Sequence, residues 1–223
     1  MKVIVSGYGK MGHMVENILR LRNIECVATS EDIRSTDKAL AKECVCIDFT
    51  TPDAFRANYR FLAENFKAVV VGTTGWNDIK DEVIECFKSS GTTMIYASNF
   101  SIGVNIFFAA ADYLSGLLAD AGGYSAYVEE KHHCHKLDRP SGTAKTIAQI
   151  VEAHGVKVPD IAAVRCGEIA GIHTLGFEGN HDRITFTHEA FSREGFAAGA
   201  VEAAIRTESL EGVHEFKDII FLK

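Results

Sequence analysis

His132-His133-Cys134-His135 places three histidines and a cysteine in four consecutive residues, and Lys136, Asp138 and Pro140-Ser141-Gly142-Thr143 follow directly. Side chains of these types carry three kinds of chemistry: metal ligation, proton transfer near neutral pH, and the binding of small anions. On an extended strand successive side chains point to opposite faces, so His133 and His135 share one face and His132 and Cys134 the other. Neither pair supplies the three convergent ligands that a catalytic zinc uses beside an open fourth position. Completing such a set would need distant residues such as His173, His181 or His188, and no metal site is expected. Anion binding uses more of the residues. A helix opening at Ser141-Gly142-Thr143 presents free backbone N–H groups and the positive end of its dipole, with Lys136 and the histidines just upstream to close round a carboxylate. Ser141 or Thr143 can equally serve as the helix cap. A histidine in this setting can also donate a proton.

A second chemical constellation lies near the N-terminus. Gly7-Tyr8-Gly9-Lys10-Met11-Gly12 has the pattern G-x-G-x-x-G between an apolar run, Lys2–Ser6, and an apolar helical stripe at Met11, Met14, Val15, Ile18 and Leu19. Glycines there permit a tight turn and a close approach of backbone to a pyrophosphate, whose charge rests on the helix N-terminus. Glu31 and Asp32 follow the second apolar run about 20 residues on, where a ribose hydroxyl would bind. Both repel a 2′-phosphate, and the nearest arginine is Arg34, so NADH is favoured over NADPH, with Lys10 acting in the opposite sense. Two further strand ends carry small and polar residues, Gly72-Thr73-Thr74-Gly75-Trp76 and Ala97-Ser98-Asn99-Phe100-Ser101. Ligands of open α/β sheets bind at that carboxyl edge.

The elements that must position these residues are visible as hydrophobic patterns. Strands are expected at 2–6, 24–30, 44–50, 67–74 and 92–99, with amphipathic helices between them over 53–66 and 78–88. Near-continuous apolar strands separated by helices imply a parallel sheet covered on both faces, a Rossmann-type half. After Asn99 the rhythm changes. A long apolar helix over 104–118 leads to an alternating strand at 125–131, then a helix from about 141 to 154. Runs of antiparallel character follow at 163–171, 172–179 and 182–191, with a hairpin turn at Glu178-Gly179-Asn180-His181. A helix is expected over 195–207, and the last nine residues, EFKDIIFLK, are short and apolar. The expected fold class is α/β. Residues 1–101 and 195–223 form a dinucleotide-binding Rossmann domain, and 102–194 an inserted α+β substrate-binding and oligomerisation domain with a mixed open sheet.

Bulk properties narrow the partners. The chain has 223 residues, a net charge of −7 and no basic run, which argues against nucleic acid or an anionic membrane surface. A small anionic substrate needs only a local cluster of donors. The apolar region Ile102–Leu118 is broken by Asn105 and Asp112 and reads as a buried helix, and the N-terminal run is too short for a signal peptide. A cytoplasmic location follows. The six cysteines have no paired spacing and are expected to be reduced, with Cys44 and Cys46 as small hydrophobes on one strand face.

The stretch E-x-H-H-x-x-K-x-D-x-P-S-G-T-A from Glu130 to Ala144 resembles the signature of the 4-hydroxy-tetrahydrodipicolinate (dihydrodipicolinate) reductases. The likeness extends to Lys10-Met11-Gly12, to GTTG at 72–75, to ASNFSIGVN at 97–105 and to FAAGAV at 196–201. The family implies that NADH or NADPH delivers hydride to a conjugated cyclic imine dicarboxylate, with loss of water, giving tetrahydrodipicolinate in the diaminopimelate and lysine pathway. By the same resemblance His132 is the acid/base histidine and Lys136 a second proton donor. His133, Ser141, Gly142 and Thr143 hold a substrate carboxylate. Gly7–Gly12, Glu31, Gly72, Thr73, Thr74, Ala97, Ser98, Asn99 and Phe100 contact the cofactor. The family also implies a homotetramer built through the sheet of the inserted domain.

Three positions depart from the family pattern. Ser6 stands where many members have the first glycine of the loop. Lys131 replaces an apolar or small residue before the histidine pair, and Arg139 replaces an alanine before Pro140. The last two add positive charge near an anion site. Two readings of another class compete: a zinc hydrolase or metal-binding module built on the histidines, and a non-catalytic nicotinamide sensor, which has no use for Lys136.

Overall fold

The computed structural model describes residues 1–221. The chain divides into two compact units, residues 1–102 with the chain from Glu194 onward, and Gly103–Arg193.

The first unit opens with β1 (Lys2–Ser6), α1 (Lys10–Leu21), β2 (Glu25–Ser30) and a single 3-10 turn at Ile33–Ser35. It continues through α2 (Lys38–Ala41), β3 (Cys44–Asp48), α3 (Pro52–Asn65), β4 (Ala68–Val71), a 3-10 turn at Asn77–Ile79, α4 (Lys80–Ser90) and β5 (Thr93–Tyr96). Strand period decides which core each residue joins. Val3, Val5, Val45, Ile47, Ala68 and Val70 point to one face of the sheet, against Val15 and Leu19 of α1. Ile4, Cys44, Cys46, Val69 and Val71 point to the other, against Phe55 and Leu62 of α3 and Val83 and Phe87 of α4. Cys44 and Cys46 are thus fully buried small hydrophobes, and burial raises the Cys46 thiol pKa well above its ordinary range. Proline at the first turn of α3 and the Thr51 hydroxyl, which accepts from Ala54 N at 3.2 Å, start that helix.

The second unit holds α5 (Ile102–Ala121, beginning at the boundary), β6 (Ser125–His132), α6 (Gly142–Ala153), β7 (Ile161–Arg165), β8 (Gly171–Glu178) and β9 (Arg183–Ala190). By length and composition α5 is apolar enough to cross a membrane, but Phe107, Ala111 and Leu118 are buried in this unit's core with Ile147 and Val151 of α6. The sheet order is β7-β6-β8-β9. β6, β8 and β9 form an antiparallel meander, whereas β7 pairs parallel to β6, contrary to the antiparallel character expected of the 163–171 run. The reason is that α6 lies between β6 and β7 as a crossover, which brings the next strand back in the same direction.

The chain then re-enters the first unit as α7 (Glu194–Arg206), β10 (Val213–Glu215) and α8 (Phe216–Ile219). α7 packs on α1, and its Ala197, Ala200 and Val201 fill the core beside Val15. β10 extends the sheet beyond β5, so its order is β10-β5-β4-β3-β1-β2, all parallel. This strand was not anticipated. It is three residues long and ends at Glu215, the first residue of the run expected only to be short and apolar, whose last two residues fall outside the described ones.

Candidate active site

In the first unit, parallel strands bring the ends of β1, β3, β4 and β5 to one edge, and the expected nucleotide contacts are strung along it. Gly7 has φ +85°, and a Cβ there would overlap the Phe49 carbonyl oxygen and lie 2.9 Å from Thr50 Cγ2, so only glycine lets the two loops close. A Cβ on Gly72 would lie 2.7 Å from Phe49 Cδ1. Gly9 caps α1 without a side-chain hydrogen bond, which leaves that helix end's N–H groups for an anion. Tyr8 turns its ring onto His13, 3.9 Å between centroids, and donates its hydroxyl to Glu16. Lys10, Glu31, Thr74 and Ser98 are exposed, whereas Met11 packs on the core and Phe100 is buried near Phe49 and Phe216. Asn99 accepts from Ser101 N at 2.8 Å, closing the turn after Ala97.

Asp48 organises this edge. It is fully buried and accepts from Ser6 Oγ at 2.8 Å, Thr73 Oγ1 at 2.6 Å and Thr50 Oγ1 at 3.2 Å. Burial raises its carboxyl pKa, and the three hydroxyl donors offset only part of that rise. Ser6, where the family pattern has glycine, therefore has a defined partner.

In the second unit the inner face of β6 carries Ala126, Val128, Glu130 and His132, all buried. The strand stops at His132. His133–Lys136 is a turn closed by Lys136 N on His133 O at 3.2 Å, so the expected alternation does not run through Cys134 and His135. His132 instead shares its face with Glu130, whose carboxylate meets His132 Nδ1. The other Glu130 oxygen takes Arg165 Nη2 at 2.8 Å and the Ser141 N–H at 3.4 Å. The His173 ring lies 5.0 Å from that of His132, and its Nε2 bonds Ser141 Oγ at 3.1 Å. Burial lowers the pKa of His132, and Glu130 only partly reverses it. Burial lowers His173 further, to about 4, with His132 adding to the effect. Burial alone would raise the pKa of Glu130, but Arg165 and His132 together hold it below the usual carboxylate value.

Lys136 Nζ lies 2.7 Å from Asp138 Oδ1. Desolvation alone would raise Asp138, yet Lys136 and nearby backbone N–H groups, Gly142's among them, bring it down. Ser141 caps α6, its hydroxyl accepting from Ala144 N at 3.2 Å, so its polar groups are engaged within the protein. Gly142 is exposed and Thr143 half-buried at the first turn beyond it. His133 Nε2 lies 3.4 Å from Arg193 Nη2, and its buried Nδ1 has no partner. Lys131 points to the opposite face of the sheet, paired with Glu129 at 2.9 Å, and Arg139 donates to the Ala163 carbonyl. Neither departure from the family pattern lies beside His132.

Among the described residues two groups of potential metal ligands converge, Glu130-His132-His173 and Cys134-His135-Glu168, where the strand alternation offered none. In the buried group one Glu130 oxygen takes Arg165 and the Ser141 N–H and the other meets His132 Nδ1. The second group is exposed throughout.

The dihydrodipicolinate reductase family models match this chain over residues 1–100 for the N-terminal part and 103–220 for the C-terminal part. The chain belongs to the dihydrodipicolinate reductase family. The 4-hydroxy-tetrahydrodipicolinate reductase of Christiangramia forsetii is 38% identical, covering 99% of this chain and 98% of its own. That of Ralstonia pickettii is 35% identical over 88% and 80% of the two chains. A dipicolinate-bound dihydrodipicolinate reductase from Paenisporosarcina sp. TG-14 superposes with a TM-score of 0.78 over 98% of this chain and 99% of its own. At 21% identity that likeness speaks for the fold.

Asp48, Phe49 and Thr50 were missed as site residues, Glu130, Arg165 and Arg193 were given no role, and His173 was weighed only as a distant metal ligand. For two of them a signal existed. Asp48 is a carboxylate inside an otherwise apolar strand, which calls for buried donors. Glu130 falls on the inner face by strand alternation alone. Arg165, His173 and Arg193 reach the site through sheet pairing and chain return, which no local spacing encodes.

Proposed function

We propose that this reductase-family chain reduces 4-hydroxy-tetrahydrodipicolinate to tetrahydrodipicolinate, with loss of water, in diaminopimelate and lysine biosynthesis. The observation that carries this reading is the cluster at the end of β6. A buried histidine with a lowered pKa, a lysine four residues on, and an open helix N-terminus lie along one continuous segment. That is equipment for gripping a carboxylate and moving a proton. A bound nicotinamide supplies the hydride. Gly7–Gly12 and the α1 N-terminus hold its pyrophosphate, Glu31 its ribose hydroxyls, and Gly72–Thr74 and Ala97–Phe100 the reactive end.

His133 and the Gly142 and Thr143 N–H groups hold a substrate carboxylate, while His132 and Lys136 supply protons as negative charge develops. Lys136 must leave Asp138 to do so. NADH is preferred to NADPH, because Glu31 and Asp32 are exposed after β2 while Arg34 is turned onto the Ala57 carbonyl. The first unit is the dinucleotide domain and the second the substrate domain. The protein is cytoplasmic and assembles as a homotetramer through the outer face of the second unit's sheet, where Tyr127 crosses Gly176 and Thr174 bonds Thr187 at 2.9 Å.

A coupled assay tests the activity. A synthase condenses pyruvate with aspartate semialdehyde, the protein is added, and oxidation of NADH and NADPH is followed separately. Rapid oxidation of either supports the reductase, and the faster one reports the cofactor preference. No oxidation by protein shown to bind NADH would favour the sensor.

A further inference from the structure

We propose that Glu130 is a positioning residue that fixes the tautomer and orientation of His132, with Arg165 and the Ser141 N–H fixing Glu130 in turn. The inference rests on His132 being the proton donor of the proposed reduction, and it adds a residue to which that reading gives no role.

The geometry allows one proton arrangement. Glu130 is completely buried and meets three nitrogen partners on two oxygens. Arg165 and the Ser141 amide can only donate, so one oxygen must accept from both. With the carboxyl held ionised, its other oxygen also accepts, and His132 Nδ1 must carry a hydrogen. Nε2 is then the nitrogen that binds and releases the transferable proton. It lies beside Gly171, where a Cβ would stand 3.1 Å from it and 3.8 Å from His173 Cε1. The absence of a side chain at residue 171 leaves that nitrogen uncovered.

The proton step is balanced within the site. The Nε2–H bond of the imidazolium breaks, its electron pair stays on nitrogen, and the proton goes to the substrate atom that gains negative charge as hydride adds. Glu130 remains ionised throughout and stabilises the imidazolium beforehand. Several other groups act on His132. Arg165 on β7 and Lys136 in the following turn oppose its positive charge, as does burial, while the His173 ring on β8 packs against it. His188 on β9 and Asp138 lie one contact further out, on His173 and Lys136. Glu130 is the carboxylate in direct contact with the ring, and without it every remaining influence favours the neutral form.

Glu130→Gln tests this sharply. An amide must offer its oxygen to Arg165 and Ser141, which leaves its NH₂ against His132 Nδ1 and forces the opposite tautomer. Turnover of the variant is expected to fall about 100-fold. The high-pH limb of the pH–rate profile, where the imidazolium is lost, should move to lower pH, with NADH affinity unchanged. Glu130→Asp, which keeps the charge, should recover part of the loss. Nitrogen-15 spectra of His132 in the wild type should show a protonated Nδ1 and an unprotonated Nε2 above its pKa. This arm stands even if Glu130→Gln does not fold or the substrate proves to be another molecule. Wild-type turnover and pH profile in Glu130→Gln, or an unprotonated Nδ1 in the native protein, would overturn the proposal. So would lost turnover with an unmoved His132 titration, since that is what a merely structural carboxylate would give.

Discussion

Ser6 Oγ donates to Asp48 Oδ1 across 2.8 Å at the paired ends of two buried parallel strands. Through the same carboxylate the glycine loop is tied to Thr50 and to Thr73, so two of the loops expected to hold the nucleotide share one acceptor with the loop after β3. Asp48→Ala leaves three hydroxyls without that acceptor, two of them on buried residues, Ser6 and Thr73. Unsatisfied buried groups cost about 1–3 kcal/mol. Urea unfolding should show a loss of that size, and a fluorescence titration should show NADH binding weakened several-fold. Loss of stability with unchanged NADH affinity would mean that the carboxylate supports the strands and not the loops.

Lys136 is expected to matter to chemistry and not to the cofactor. Its ammonium is half-buried and its partner, Asp138, lies on its own loop, so removing it leaves no buried charge stranded in the core. Lys136→Ala should lower turnover by about 10²–10⁴, the usual range for a positioned proton donor. Thermal midpoint and NADH affinity should stay near wild type. Turnover within two-fold of wild type would remove Lys136 from the mechanism.

Acid should destabilise the second unit through its buried histidines. The folded pKa of His173 is about 4, against 6.5 when unfolded. Between those values the unfolded chain takes up a proton that the folded one refuses. Stability therefore falls as pH drops from 6.5, by up to about 1.4 kcal/mol per pH unit for this group, and the slope ends below about 4. His132 and His188, also lowered by burial, add to the same slope. Denaturant unfolding at pH 7 and pH 5 should show His173→Gln losing less stability than wild type over that interval. Equal losses would place the proton elsewhere.

The sequence was informative where chemistry depends on neighbours along the chain. The strand–glycine–helix order at Lys2–Leu21, the Ser141 cap and the start of α6, and the buried apolar strands of the first sheet are all local patterns. Their signals are hydrophobic period and turn chemistry, which act over a few residues. The direction of β7 was misjudged because a strand's partner is set by the crossover before it, not by its own five residues. The faces assigned to His132–His135 assume extended chain beyond the strand expected at 125–131, and the turn at His133–Lys136 breaks that alternation. What decides the environment of His132 is Glu130 below it, Arg165 35 residues from that glutamate and His173 across the sheet. Pairing register places those groups, and register emerges only when the whole sheet assembles.

The outer face of the second sheet supplies the last prediction. Tyr127, Glu129 and Lys131 of β6 point there, opposite the side packed by α5 and α6. Thr174 and Thr187 face the same way and bond each other across β8 and β9. Thr174 sits mid-strand, so an arginine there would put like charges on neighbouring copies face to face across a two-fold interface. Thr174→Arg is expected to turn the proposed tetramer into dimers or monomers in sedimentation velocity, while each chain keeps its fold and its NADH affinity. Dissociation accompanied by lost turnover would show that assembly supports the substrate site. An intact tetramer carrying the arginine would place the interface on another surface.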